Sequence, residues 1–448
     1  MFKKKLYAGI FLATLSTFFC QAQKLYNVNI VGFINDRVSL SRHTLAFIKC
    51  LQKDMPLTLI KSHKTNLQDI PEYLKNSIYP GVDLTNKKAL KNALEKDFVL
   101  TGLTVFTVGL SCSWHEYLSL PNKSQVKIMY AVTERSVIPQ DVVMKMNQNF
   151  DAIVVPDEWM IDIFKQSGVN LPIFVLPLVL DPNLQSLLTI PLKNVKNNNK
   201  PFVFGMTGAF TPRKNHILLL RAFAEEFGNN PNFKLKLHGA SEAYSFSMRQ
   251  LLYVQKQYQI TNVEISQKKY SRQEYENFIS SLDCYAFVSK GEGFSITPRE
   301  ALAAGIPCIL SDNTAHKIIC KSGLVCPVPS NIKEPAYYVP MGQFIGSDFN
   351  CNICDVRKAL RNVYQNYNHY LALAPQGREW VKQYLAEKLT PRYLNLAKPK
   401  LVILGPNNLI TDEYLMTNSA ELYKKYQELC RSTNTVFKKN YDKKTSKT

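Results

Sequence analysis

The sequence has 448 residues, of which 46% are hydrophobic and 20% are charged. This balance predicts a globular chain of two or three domains and excludes a fibrous or wholly disordered protein. There are 55 lysine and arginine residues against 35 acidic ones, a formal charge of +20, and this excess favours anionic partners. The basic residues do not cluster with aromatic ones over the area of a groove, so we do not expect a nucleic-acid partner.

The N-terminus has the pattern of a targeting segment. Lysines at positions 3–5 precede an uncharged, mostly apolar run from Leu6 to Cys20, and Ala22 offers a small residue at a cleavage site. The run is shorter than the roughly 20 residues that span a bilayer. Residues 1–23 are therefore predicted to be a cleaved signal peptide or an uncleaved membrane anchor, with a plain helix as the third alternative. The protein would be exported or membrane-associated, and an anchor would allow a catalytic domain to face the cytosol.

Apolar runs alternate with helix-like segments in the first half of the chain. Ser39 can cap a helix after the first run, residues 158–167 form a helix after the fourth, and residues 194–200 are a polar linker. This alternation predicts a Rossmann-like domain over residues 24–195. The predicted strands are Asn27–Ile34, Phe98–Val108, Val126–Val132, Ala152–Val155 and Ile173–Leu178.

A second series of the same kind predicts another Rossmann-like domain, over residues 196–375. The fold class is thus α/β, with two doubly wound parallel sheets that face each other across a cleft, and ligands at the carboxyl ends of their strands. The predicted strands are Phe202–Met206, Phe233–Leu237, Cys284–Val288 and Cys308–Ser311. The predicted helices are Asn215–Phe227, Tyr275–Ser281 and Pro298–Ala304.

The C-terminal part of the chain is predicted to be mostly helical. Helices are expected at Asp355–Tyr367 and Gly377–Glu387, and residues 376–397 are expected to return toward the N-terminal domain. Residues 398–448 form an extension with a short strand at 401–404, a helix at 420–430 and a basic tail that we expect to be disordered.

Four cysteines lie close together in the sequence, and they leave three alternatives open. Cys351 and Cys354 form a CxxC pair, whereas the spacing of Cys320 and Cys326 is not that of a zinc ligand pair. The group is therefore a zinc site, a source of one or two disulfides in an exported protein, or plain packing.

The segment from Gly291 to Pro307 (GEGFSITPREALAAGIP) carries the strongest chemical signal. Gly291 and Gly293 allow a tight turn and a close approach to a ligand. A helix that begins near Pro298 directs the backbone N–H groups of residues 294–297 at an anion. Carboxylates accept hydrogen bonds well from vicinal hydroxyls, so we expect Glu300 to bind a ribose and Glu292 to bind a sugar.

This segment resembles the glutamate-pair signature of the retaining glycosyltransferase family 4, also known as glycosyl transferases group 1, which has the GT-B fold. Asn29–Phe33, Asn147–Pro156 and Gly208–His216 resemble further segments of that family, and the similarity covers about residues 27–390. The resemblance implies that Arg213 and Lys214 bind the donor diphosphate and act in catalysis with Glu292. It implies donor-binding roles for Glu300, Gly293, Phe294, Ser295, Ile296, Gly208 and His238.

The acceptor side is less well marked. Glu134 matches a family position at the cleft, and His115 follows a predicted strand of the N-terminal domain. Family members often have a glycine-rich turn after their first strand, but residues 35–42 contain no glycine. Contacts from that loop to phosphate or acceptor are therefore in question.

The combination predicts a hexosyltransferase that uses a UDP- or GDP-linked sugar and retains the anomeric configuration. No Asp-x-Asp motif is present, so we expect neither a metal nor another cofactor. The acceptor is a saccharide, a lipid-linked saccharide or a protein, and association with a membrane fits the basic charge. The main alternative is a noncatalytic sugar- or nucleotide-binding protein on a GT-B scaffold.

Overall fold

The computed structural model describes residues 28–34, 41–61, 78–83, 102–107, 126–180, 183–193, 200–239, 245–338 and 342–397. The predicted targeting segment, most of the linker and the C-terminal extension lie outside these ranges. Within them, no helix is both long and apolar enough to cross a membrane.

The first sheet has seven strands among the described residues, in the order β3-β2-β1-β4-β5-β6-β7, and all neighbours are parallel. Strands β1, β4, β6 and β7 are buried along their whole length, which is why they occur as continuous apolar runs. The strands are β1 (Val28–Gly32), β2 (Leu57–Lys61), β3 (Ile78–Asp83), β4 (Leu103–Thr107), β5 (Val126–Tyr130), β6 (Ala152–Val155) and β7 (Ile173–Val175). The helices are α1 (Ser41–Leu51), α2 (Gln140–Asn149), α3 (Trp159–Gln166) and α4 (Asn183–Leu188).

The second sheet has six strands in the described part of the chain, in the order β10-β9-β8-β11-β12-β13, and these are parallel too. The predicted fold class, with two Rossmann-like parallel sheets, is thereby confirmed. The strands are β8 (Phe202–Thr207), β9 (Phe233–His238), β10 (Val263–Ser266), β11 (Cys284–Phe287), β12 (Cys308–Asp312) and β13 (Cys326–Pro329). The helices are α5 (His216–Phe227), α6 (Ser245–Gln257), α7 (Arg272–Ser280), α8 (Ile296–Ala303) and α9 (His316–Lys321).

A two-stranded antiparallel hairpin follows the second sheet, and the sequence analysis did not predict it. It consists of β14 (Ile332–Tyr338) and β15 (Gln343–Asn350), with an irregularity in the register between Pro335 and Tyr337. The strands contain Pro and Gly and have several exposed residues, so they lack the buried apolar run by which the other strands were recognised.

The last described helices connect the two sheets. They are α10 (Ile353–Gln365), α11 (Tyr367–Ala372), α12 (Ala374–Val381) and α13 (Ala386–Ala397). Tyr393 of α13 packs edge-on against Phe47 of α1, with ring centroids 4.8 Å apart, and its hydroxyl donates to the Pro177 carbonyl. The single helix predicted over 377–387 is wrong, because the chain turns between α12 and α13 where Tyr384 is buried against Phe294 and Trp380.

The seven cysteines in the described ranges are free thiols, and five of them are buried. No group of three or more His, Cys, Asp or Glu side chains in these ranges is arranged to hold a metal ion. Within the group of four, Cys326 and Cys351 are buried, as the packing alternative requires, whereas Cys320 is half-buried and Cys354 is exposed.

Candidate functional site

The first part of the site is the turn that follows β8. Thr211 caps a short 3₁₀ turn from Pro212 to Lys214 by accepting a hydrogen bond from the Lys214 backbone N–H. Asn215 then takes a left-handed conformation with φ 65°, and its side chain donates to the Val288 carbonyl and to Asn350 Oδ1 at 3.0 and 2.8 Å. These contacts hold Arg213 and Lys214 at the carboxyl ends of β8 and β11.

Arg213, Lys214, Glu292 and Glu134 form one connected ion cluster. The Arg213 guanidinium donates to Glu292 Oε1 at 2.8 Å and to Glu134 Oε1 at 2.6 Å. Lys214 Nζ lies 2.8 Å from both oxygens of Glu292, and the Ser289 hydroxyl donates to Oε1 at 2.6 Å. A carboxylate has about four lone-pair positions. Of the Arg213, Lys214 and Ser289 donors, only Lys214 bonds to Oε2 of Glu292. Oε2 can therefore accept another hydrogen bond.

Glu292 is the buried member of the cluster, whereas Arg213, Lys214 and Glu134 are half-buried. The protonation states follow from this burial and from the charges of the neighbouring groups. Burial by itself raises the pKa of Glu292, but the positive charges of Lys214 and Arg213 outweigh burial and hold that pKa below its usual value. Burial lowers the pKa of Lys214 more than Glu292 raises it. Burial also lowers the pKa of Arg213, but Glu134 and Glu292 outweigh that effect, and the net pKa is raised. Glu292 is therefore an anion and Arg213 a cation at neutral pH.

The two glycines of the loop allow the domains to meet. A Cβ atom at Gly291 would collide with the Glu134 carbonyl oxygen, and one at Gly293 would collide with the Val132 side chain. Residues 132–134 follow β5 in the first sheet. These glycines therefore allow a close approach of the loop to the N-terminal domain.

The loop enters α8 through Ser295, which has a left-handed φ of 57°. The Ser295 hydroxyl lies 2.6 Å from His316 Nε2, and Phe294 is buried. Ile296 is the first residue of α8, so the first turn of this helix lies at the site, as an anion-binding helix would require.

Glu300 lies in the second turn of α8 and is buried. One of its oxygens accepts a hydrogen bond from the Tyr275 hydroxyl at 2.5 Å. Burial, followed by the negative charge of Glu300, raises the pKa of Tyr275 well above its usual value, so Tyr275 remains a donor. Glu300 is thus positioned by α7, the helix that carries Tyr275.

His238 ends β9 and is bonded within the protein at both ring nitrogens. Nδ1 lies 2.9 Å from the Thr207 hydroxyl and Nε2 lies 2.8 Å from the Lys268 carbonyl, while the ring stacks on Tyr270 at 3.9 Å. Burial lowers the pKa of His238, which favours a neutral ring that donates from Nε2 and accepts at Nδ1. Gly208 comes directly after β8, the strand that pairs with β9, and its N–H donates to the His238 carbonyl.

The structure brings together most of the residues that the sequence predicted, and it adds others. Arg213, Lys214, Glu292 and Glu134 share one cluster, whereas His115 lies outside the described residues. Ser289 and Thr314, which were not predicted, hold Glu292 through its side chain and its backbone N–H. Thr314 and Tyr275 lie 22 and 25 residues from the glutamates that they contact, and no local pattern marks them.

Comparison with known proteins agrees with the fold. Residues 191–336 match the family described as glycosyl transferases group 1, and none of the curated proteins searched matches the chain. Sucrose-phosphate synthase from Thermosynechococcus elongatus is 13% identical, with a TM-score of 0.59 over 83% of this chain and 98% of that chain. Anabaena HepE in complex with UDP and glucose is 10% identical, with a TM-score of 0.60 over 84% of this chain and 100% of that chain.

A glycosyltransferase from Rickettsia africae is also similar, with 14% identity and a TM-score of 0.59 over 84% of this chain and 98% of that chain. Structural similarity at identities this low shows the fold alone. The family match covers the second sheet, the residues just before it and most of β14. The chain therefore has the GT-B fold, and its residues 191–336 are similar to the glycosyl transferases group 1 family.

Proposed function

We propose that this protein is a glycosyltransferase that moves a hexosyl unit from a nucleotide-sugar donor to a saccharide, lipid-linked or protein acceptor. One observation carries the proposal: Arg213 and Lys214 meet Glu292 at the carboxyl ends of β8 and β11, beside the first turn of α8. Two cations and a helix N-terminus suit a diphosphate, and a carboxylate next to them suits the hydroxyls of the attached sugar.

The proposed reaction breaks the bond between the sugar and the donor diphosphate. Arg213 and Lys214 would stabilise the negative charge that develops on the leaving phosphate, so the proposed reaction needs no metal. The acceptor hydroxyl would attack from the face that the phosphate leaves, with retention of configuration, and its proton would pass to a donor phosphate oxygen. The acceptor would bind on the side of Glu134, in the N-terminal domain.

Two carboxylates contact the cation Arg213 that this mechanism assigns to the donor diphosphate. The Glu134 side chain is 33% exposed and that of Glu292 is 6% exposed. The cost of removing a group from its ionic contacts rises with burial, because a buried charge has no solvent to replace its partner. We therefore propose that the donor diphosphate displaces Glu134 from Arg213, while Glu292 keeps its place.

Nucleotide binding is the first property to measure. We expect one of UDP, GDP, ADP and their sugars to raise the thermal midpoint of the purified full-length protein, and the solved complexes of HepE with UDP and UDP-glucose make UDP the first choice. Replacement of Glu300 by alanine should raise the Kd of that nucleotide roughly tenfold, through loss of one charge-assisted hydrogen bond to ribose.

Tyr275→Phe is the companion variant for this measurement, because it removes one hydrogen bond to Glu300 and leaves the carboxylate. It should raise the Kd of the nucleotide less than Glu300→Ala does. If no nucleotide stabilises the wild-type protein, the proposed transferase function is contradicted and a binding protein for other ligands is favoured.

A second test concerns the leaving group. Lys214→Ala should lower kcat by roughly 100-fold, the effect of removing one group that stabilises charge in the transition state, and EDTA should leave the wild-type rate unchanged. The measurement is release of the free nucleoside diphosphate from the donor that the screen identifies. Lys193→Ala is the control, since Lys193 pairs with Asp283 at the amino end of β11, at 2.8 Å. A rate that EDTA abolishes would contradict the metal-free mechanism.

A further inference from the structure

The hairpin of β14 and β15 is attached at its base to both turns of the candidate site. The Phe349 N–H donates to the Lys290 carbonyl at 2.8 Å, next to the loop that carries Glu292. Asn350 Oδ1 accepts from Asn215, which closes the turn that carries Arg213. The position of β15 is therefore coupled to the positions of the ion cluster.

The same hairpin also contacts the N-terminal domain. The Ser347 N–H donates to the Ser136 hydroxyl at 2.9 Å, and Arg135 donates to the Tyr337 carbonyl at 3.2 Å. Gly346 has a φ of 63°, and a Cβ atom there would lie 2.7 Å from the Ser136 hydroxyl oxygen. A larger residue at Gly346 would thus push the hairpin away from the N-terminal domain.

Asp348 lies on β15 between these two sets of contacts. It is 9% exposed, and its Oδ1 atom is buried without a hydrogen-bond partner among the described residues. Burial raises the pKa of Asp348, and the positive charges of Arg135, Arg213 and Lys290 oppose that effect. The neighbouring residues Ser347 and Phe349 bond to Ser136 and Lys290, so Asp348 lies between the N-terminal domain and the loop that carries Glu292. Buried polar atoms in native proteins are nearly always hydrogen-bonded, so this oxygen has the properties of a ligand contact.

The surroundings of Asp348 restrict the kind of ligand. A carboxylate repels a phosphate, but it accepts a hydrogen bond from a neutral hydroxyl group. Arg213 is the cation that we assign to the donor diphosphate, and it acts electrostatically on Asp348. Two hydroxyl-bearing groups flank the diphosphate of a nucleotide sugar, the ribose and the transferred sugar. We assign the ribose to Glu300, which leaves the sugar for Asp348.

We propose that Asp348 accepts a hydrogen bond from a hydroxyl group of the donor sugar and is a second sugar-binding carboxylate beside Glu292. This proposal rests on the proposed function, because it requires a nucleotide sugar in the site. It makes the hairpin a determinant of which sugar is accepted, while the nucleotide is held by other elements.

Isothermal titration calorimetry with UDP and UDP-glucose, and in parallel with GDP and GDP-mannose, tests this role. The informative quantity is the Kd of the nucleotide sugar divided by the Kd of the nucleoside diphosphate. Asp348→Ala should raise this ratio about tenfold, the effect of one lost charge-assisted hydrogen bond, with little change in the Kd of the nucleoside diphosphate. Asp348→Asn keeps the shape and an accepting oxygen, so it should raise the ratio less.

Asp162→Ala is the matched control, because Asp162 is an exposed residue of α3. It should leave the ratio unchanged. A wild-type protein that binds none of UDP, GDP, ADP and their sugars would overturn the proposed function and this proposal together. A wild-type protein that binds them, with the same ratio in Asp348→Ala and Asp348→Asn, would overturn the role of Asp348 alone.

Discussion

Replacement of Glu292 by glutamine is expected to lower the free energy of unfolding by about 3–5 kcal/mol, the usual cost of leaving a buried charge without its partner. Glutamine has nearly the shape of glutamate, but it cannot neutralise Arg213 and Lys214, whose side chains are only 14% and 18% exposed. Glu134 would remain as a partner of Arg213 alone. Urea denaturation of the wild type and the variant measures the difference.

The same variant tests whether the two cations bind phosphate. Inorganic pyrophosphate should raise the thermal midpoint of Glu292→Gln more than that of the wild type, because the variant has uncompensated positive charge at the site. Glu379→Gln is the control, since Glu379 pairs with Lys382 on the surface and its side chain is 74% exposed; surface pairs of this kind contribute little. An unchanged stability in Glu292→Gln would contradict the view that the cluster is held together by charge.

Replacement of Arg299 by methionine is expected to destabilise the protein by a similar amount, about 3–5 kcal/mol. Arg299 is completely buried in α8. Its guanidinium donates to the Phe294 and Ser295 carbonyls, at the loop that leads into the site, and lies 4.0 Å from the centre of the Phe294 ring. Methionine fills much of the volume but makes none of these polar contacts, so the loop should lose its position and nucleotide affinity should fall with stability.

A second substitution, at Asp157, measures how much of the stability lost in Arg299→Met comes from the ion pair. The Asp157 carboxylate lies 3.8 Å from Arg299, and burial raises its pKa to about 6, against the opposing charge of Arg299. In the double variant Arg299→Met with Asp157→Asn, the buried carboxylate is gone, so part of the lost stability should return. If the effects of the two single variants simply add in urea denaturation, the two residues are not coupled.

The parallel sheets were predictable because their signal is local. The predicted strand Ala152–Val155 coincides with β6, and the predicted helix Asn215–Phe227 differs from α5 by one residue at its start. A buried parallel strand must be apolar on both faces, so a short apolar run between turn residues is sufficient to indicate it. The hairpin of β14 and β15 was missed, because its strands are stabilised by each other and by contacts to distant loops.

The sequence by itself determined the fold class, and it predicted a resemblance to a family and the residue types of the candidate site: the two glycines of the loop, the pair Glu292 and Glu300, and the basic pair Arg213 and Lys214. The site residues could be predicted because their spacing lies within one turn or one helix and does not depend on the rest of the fold. Only the tertiary structure decided that Glu134 pairs with Arg213 from 79 residues away, and that the residues on either side of Asp348 bond to Ser136 and Lys290. Electrostatic contacts depend on distance in space, and that distance is set when the two domains and the hairpin pack together.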